Sequence, residues 1–166
     1  MKQLIVIIGP NAVGKSTAAK EFVERYTRTA YVDSDWCRVM NPFEFTEIKK
    51  KTVMKNIYCL LHNYLICDEI DTVVFTYSWH GSRKEIYDEI IEKLKKDNVV
   101  FKENIVILKC TMTEIIKRAR EDGRDEVRIK RGIETTCNFY EKYDYPCIDT
   151  TDMTPLEVAE KIRNLA

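Results

Sequence analysis

Short, continuous apolar runs alternate along the chain with longer stretches in which apolar residues recur every three or four positions. The first run, QLIVIIG at 3–9, has an unbroken apolar centre, the pattern of a strand covered on both faces. After a glycine-containing loop, Ala19, Phe22, Val23 and Tyr26 fall on one side of a predicted helix. TAYVDSD at 29–35 reads as a second strand. Met54, Ile57, Leu61 and Tyr64 then predict a helix from Thr46 to about Asp68, and DTVVFTY at 71–77 a third strand.

The second half continues the alternation, with clearer punctuation. Ser82 and Glu85 predict a capping box at the start of a helix carrying Ile86, Ile90, Ile91 and Leu94. NIVILKC at 104–110 is the fourth strand, and Thr111 with Glu114 caps the helix after it. YPCIDTT at 145–151 is a short fifth strand. Thr154, Pro155 and Glu157 supply a cap, a first-turn proline and a third-position carboxylate to a last helix, with Val158, Ala159, Ile162 and Leu165 as its apolar side.

Five strands interleaved with helices predict an α/β fold, a three-layer α/β/α sandwich around a five-stranded, mainly parallel sheet. The 166 residues suit one domain spanning 1–166, with no internal repeat, linker or low-complexity segment. Ligands of such sheets gather at the carboxyl ends of the strands, so candidate chemistry is sought there.

Composition narrows the function classes. Lys+Arg and Asp+Glu balance at 27 each, so no global basic field argues for a membrane surface or a polynucleotide. No stretch reaches the roughly 18 apolar residues of a membrane span. The opening apolar run enters the loop directly and reads as a strand rather than a signal peptide. The six cysteines (37, 59, 67, 110, 137, 147) form neither CxxC nor zinc-type spacings, which favours reduced thiols in a cytoplasmic protein.

The loop between the first strand and helix carries the most specific signal. Gly9-Pro10-Asn11-Ala12-Val13-Gly14-Lys15-Ser16 fits G-x-x-x-x-G-K-[ST] without a mismatch, in the strand-to-helix context the motif requires. Glycines let the backbone wrap phosphates, the N–H groups of Asn11, Ala12 and Val13 point inward, and the helix start adds a favourable dipole. Lys15 is expected at the β- and γ-phosphates, Ser16 on Mg²⁺, and Thr17 near the α-phosphate. The implied cofactors are ATP and Mg²⁺.

A guanine-reading N-K-x-D is missing after the fourth and fifth strands, which argues against a GTPase switch. The third strand runs VVFTYSWH without a terminal carboxylate, which argues against a motor-type ATPase. Carboxylates instead follow strand two, in YVDSDWCR at 31–38. In an extended segment Asp33 and Asp35 alternate and share a face. One can accept a proton from an acceptor hydroxyl while the other holds Mg²⁺ through water.

At this point the chain resembles the small P-loop kinases: polynucleotide kinases, shikimate and gluconate kinases, chloramphenicol phosphotransferase and the nucleoside monophosphate kinases. DSD (33–35) is similar to the shikimate-kinase pair, and DWCR (35–38) resembles the D-x-x-R of polynucleotide-kinase-like members. Either register implies Asp35 as the substrate-binding general base, with Asp33 beside substrate and metal. The second implies Arg38 on an anionic acceptor group.

The resemblance also makes the basic segment at about 117–137 a helical lid whose arginines close over phosphates. It implies Arg118 at the adenine, Arg124 and Arg128 at phosphate, and Thr151 with Asp152 in the adenine loop. An alternating, solvated charge pattern is the competing reading of that segment.

Acceptor choice is expected between Arg38 and about Tyr64, including the loop VMNPFEF (39–45), and in YSWHGSR (77–83). His80 is a candidate acceptor ligand there, while the shikimate-kinase glycine triplet is missing. The favoured function is ATP-dependent phosphoryl transfer to a small molecule, nucleoside or nucleotide. A nucleotide hydrolase and a regulatory nucleotide-binding module remain the alternatives.

Overall fold

A computed structural model of the protein describes residues 1–42, 44, 46–136 and 138–166. Cys137 and the two phenylalanines of the expected acceptor loop, Phe43 and Phe45, lie outside the described residues. The elements are β1 (Lys2–Ile8), α1 (Lys15–Arg25), β2 (Thr29–Asp33), α2 (Glu47–Ile66), β3 (Thr72–Thr76) and α3 (Arg83–Lys96). They continue with β4 (Phe101–Lys109), α4 (Met112–Glu121), α5 (Glu126–Thr136), β5 (Cys147–Asp149) and α6 (Pro155–Leu165). The sheet is parallel throughout, in the order β2-β3-β1-β4-β5.

The unbroken apolar run of β1 follows from its central place. Leu4, Val6 and Ile8 face a core formed with Ile57, Leu61 and Leu65 of α2 and Tyr87, Ile90 and Leu94 of α3. Ile5 and Ile7, alternating with them, face a second core with Ala18, Ala19 and Phe22 of α1 and Val158, Ala159 and Ile162 of α6. Thus α1 and α6 cover one face, α2 and α3 the other. Successive crossovers leave β1 and β3 toward opposite sides, which opens a crevice at their carboxyl ends.

Two helix starts match their sequence signals. Thr154 forms a full capping box with Glu157, and Thr111 accepts from the Glu114 N–H. The box expected at Ser82 and Glu85 does not form. Ser82 sits before α3 with φ −77° and ψ 5°, not extended, so its hydroxyl makes no cap bond. Leu165, read as apolar-face, is 45% exposed at the chain's last turn.

The second strand stops two residues earlier than read. The Asp33 side chain accepts the Asp35 N–H at 2.9 Å, an Asx-type turn that bends the chain out of the sheet. Trp36–Arg38 then form one turn of 3₁₀ helix, with Asp35 at φ −70°, ψ −30°. Asp33 and Asp35 are therefore not alternating residues of one strand.

Candidate active site

The loop between β1 and α1 is held by its own backbone demands. A Cβ on Gly9 would lie 2.3 Å from the Leu108 carbonyl oxygen, so only glycine lets the loop cross β4 there. Gly14 (φ 97°) and Ala12 (φ 62°) take the left-handed turns that wrap the loop around a central space. The Lys15 ammonium folds back onto the Gly9 and Pro10 carbonyls at 2.9 and 2.7 Å. Desolvation lowers its pKa to about 8, opposed by the charges of Asp35 and Asp33.

The loop opens on a cavity of 370 Å³ at the carboxyl ends of β1, β2 and β3. Asn11 to Thr17 line one wall, Asp33, Asp35 and Arg38 another, and Arg118 and Arg124 a third. Buried Asp33 is fully oriented: Oδ2 accepts the Ser16 hydroxyl at 2.9 Å and the Tyr31 hydroxyl at 2.7 Å, while Oδ1 takes the Asp35 N–H. Ser16 thus spends its proton on Asp33 and keeps its lone pairs for a cation. Among the described residues no three His, Cys, Asp or Glu side chains form a metal cage. A hydroxyl beside one carboxylate fits Mg²⁺, which takes its remaining ligands from water and nucleotide phosphates.

Asp35 and Arg38 form an ion pair of 2.7 Å on the 3₁₀ turn. Both also line a side pocket of 40 Å³ with Lys50, Val53, Tyr77, Arg83 and Ile86. Arg83 belongs to both cavities, and burial together with the charge of Arg38 lowers its pKa. The sequence places it, with Tyr77, Trp79 and His80, in the segment after β3 where acceptor choice is expected.

The remaining candidates divide. Arg118 lines the cavity, yet its N–H groups are committed to Glu114, Val13 O, Thr150 Oγ1, Thr150 O and Thr151 O. Its donors pin the loop to the β5–α6 connection, which leaves the guanidinium face for a ring. Arg124 lines the cavity and pairs with Asp122 at 3.2 Å. Arg128 is exposed on α5 and does not line it.

His80 also lies outside the lining residues. Burial and the nearby charges of Arg83, Lys15 and Arg38 lower its pKa to about 4, so it is neutral at pH 7 and a weak base. Trp79 is core, packed on Tyr87, Tyr143 and Tyr145, and its backbone N–H donates to the Tyr140 hydroxyl. The Thr151 hydroxyl is occupied by Asp149 and the Thr111 N–H. Thr150 faces the cavity instead, beside apolar Met153, Pro155 and Val158.

No family model matches the chain. It is 39% identical over 86 residues to a shikimate kinase of Thermodesulfovibrio yellowstonii, a match covering 49% of each chain, so it spans about half that relative's length.

Solved structures match over nearly the whole chain. The tunicamycin resistance protein of Deinococcus radiodurans superposes with a TM-score of 0.69 at 17% identity, covering 99% of this chain and 95% of that one. The APS kinase of Mycobacterium tuberculosis, solved with AMPPNP and APS, gives 0.65 at 14% identity (99% and 96%). The shikimate kinase of Aquifex aeolicus gives 0.60 at 16% (98% and 94%). The chain shares the fold of these proteins, and its loop between β1 and α1 carries the phosphate-loop sequence pattern. No helix among the described residues is long and apolar enough to cross a membrane.

Proposed function

We propose that the chain is an ATP-dependent phosphotransferase that moves the γ-phosphoryl group to a hydroxyl of a small anionic molecule. The observation that carries this reading is the Asp35–Arg38 pair, on the wall of the phosphate-loop cavity and at the mouth of a second pocket. A hydrolase or a nucleotide-binding module has no need of that pocket. The shikimate-kinase relative and the kinase folds support the same class.

The residues take distinct roles. The loop N–H groups and Lys15 hold the β- and γ-phosphates, and the apolar edge of Met153, Pro155 and Val158 takes the purine. Ser16 and Asp33 would hold Mg²⁺, which would neutralise phosphate charge. Asp35 accepts the proton of the attacking hydroxyl, a carboxylate role worth about 10²–10⁴ in rate. Arg124 leaves Asp122 for the transferring phosphoryl as α5 closes. Arg38 and Arg83 bring two positive charges to a pocket the size of a carboxylate or phosphate, which favours a small acceptor over a polynucleotide.

The test is ADP formation with ATP and Mg²⁺, with and without a panel of hydroxylated carboxylates and phosphates. Turnover that depends on one acceptor, and falls about 10²–10⁴-fold in Asp35→Asn, is expected. Acceptor-independent turnover surviving Asp35→Asn at full rate contradicts the proposal.

A further inference from the structure

Tyr31 takes part in none of the roles above, yet its hydroxyl reaches the centre of the site. It lies two residues before Asp33 on β2, so both side chains leave the same face of the strand. The hydroxyl donates to Asp33 Oδ2 at 2.7 Å and lies 3.1 Å from Thr76 Oγ1 on the neighbouring strand. Asp33 Oδ2 is also the oxygen that accepts Ser16. Four polar groups from β2, β3 and the start of α1 thus form one chain: Thr76, Tyr31, Asp33, Ser16.

The ring of Tyr31 is itself held. Trp36, 53% exposed on the 3₁₀ turn, packs edge-on against it at 4.9 Å between centroids. A phenol clamped between a ring and two polar partners has little freedom, and it passes that order to the carboxylate. Without its hydroxyl, Asp33 keeps the Asp35 N–H on Oδ1 and the Ser16 proton on Oδ2, and loses the donor that fixes the direction of Oδ2 toward the serine.

We infer that Tyr31 is a positioning residue for the Mg²⁺–nucleotide, acting through Asp33 to aim the Ser16 hydroxyl. The inference rests on the nucleotide-binding part of the reading above. It assigns the tyrosine to the metal-linked part of nucleotide affinity and to no other part. Phosphate contacts made by the loop backbone and Lys15 do not pass through it.

Tyr31→Phe keeps the ring and its contact with Trp36 and removes only the hydroxyl. ATP affinity is measured by calorimetry in EDTA and across a Mg²⁺ titration, with Trp36, one of two tryptophans, as a fluorescence reporter. The variant is expected to bind ATP in EDTA with wild-type affinity. Its half-saturating Mg²⁺ rises about tenfold, the size expected for one hydrogen bond to a charged group. Thr76→Val, which removes the second partner of the phenol, shifts the Mg²⁺ dependence in the same direction by less.

An unchanged Mg²⁺ dependence in Tyr31→Phe overturns the inference. So does an equal loss of affinity with and without Mg²⁺, which marks a loosened loop rather than a misaimed hydroxyl. If Tyr31→Phe does not fold, an unshifted Mg²⁺ dependence in Thr76→Val overturns it alone. Wild-type protein that binds no ATP overturns the underlying nucleotide-binding reading instead, so the two failures are distinct.

Discussion

Lys15 is held in the free protein at a cost that its ligand should remove, and Lys15→Met exposes that cost. Its ammonium is packed onto two loop carbonyls, and desolvation lowers its pKa from 10.5 to about 8. A lysine whose folded pKa lies below its unfolded value destabilises the fold by a penalty fully present below the folded pKa. The penalty disappears as pH rises from about 8 to 10.5.

At 1.36 kcal/mol per pKa unit, this shift corresponds to about 3 kcal/mol. The side chain is only half-buried and faces the cavity, so water screening reduces the figure to about 1–2 kcal/mol. Methionine keeps the length of the chain and removes the charge.

The free Lys15→Met protein is therefore expected to melt about 3–6 °C above wild type at pH 7, by calorimetry. The difference narrows as pH rises toward 10. ATP with Mg²⁺ should raise the melting temperature of wild type and leave the variant unmoved. Wild-type ATP affinity should also fall above pH 8, as the ammonium loses its proton. A free variant less stable than wild type at pH 7, with the gap unchanged at pH 10, would mean that burial of the Lys15 charge does not cost stability.

Gly9→Ala drives a Cβ to 2.3 Å from the Leu108 carbonyl oxygen. It is expected to lose about 3–5 kcal/mol in urea unfolding, and an unchanged midpoint contradicts the tight crossing. Arg83→Met removes one of two guanidiniums from the side pocket and should raise the acceptor KM about 10–100-fold with the KM for ATP unchanged. Equal changes in both would place Arg83 on the donor side.

Where one residue's chemistry dictates its surroundings, the site was legible from the chain alone. The phosphate loop is such a case, because its glycines and lysine answer to backbone geometry within a few residues. Thr154 with Glu157 and the alternating burial of β1 are others. The turn after Asp33 was not legible, although its signal was present: an aspartate accepting the N–H two residues on ends a strand.

Arg83 and the core role of Trp79 depend on contacts between segments far apart, Trp79 with Tyr143 and Tyr145 in particular. Periodicity carries no record of such contacts. The basic segment at 117–137 shows the same limit: its spacing does not separate Arg118, committed to backbone carbonyls, from Arg128, which faces solvent.

In the proposed function the cavity has an acceptor side facing Asp35. Phosphorus-31 NMR of ATP, Mg²⁺ and the protein with a hydroxylated carboxylate or phosphate acceptor is the sharpest test, because the spectrum shows where the γ-phosphorus goes. A phosphomonoester resonance that grows in step with ADP, and disappears in Asp35→Asn, is expected. Inorganic phosphate growing in step with ADP, at a rate no acceptor changes, would contradict it.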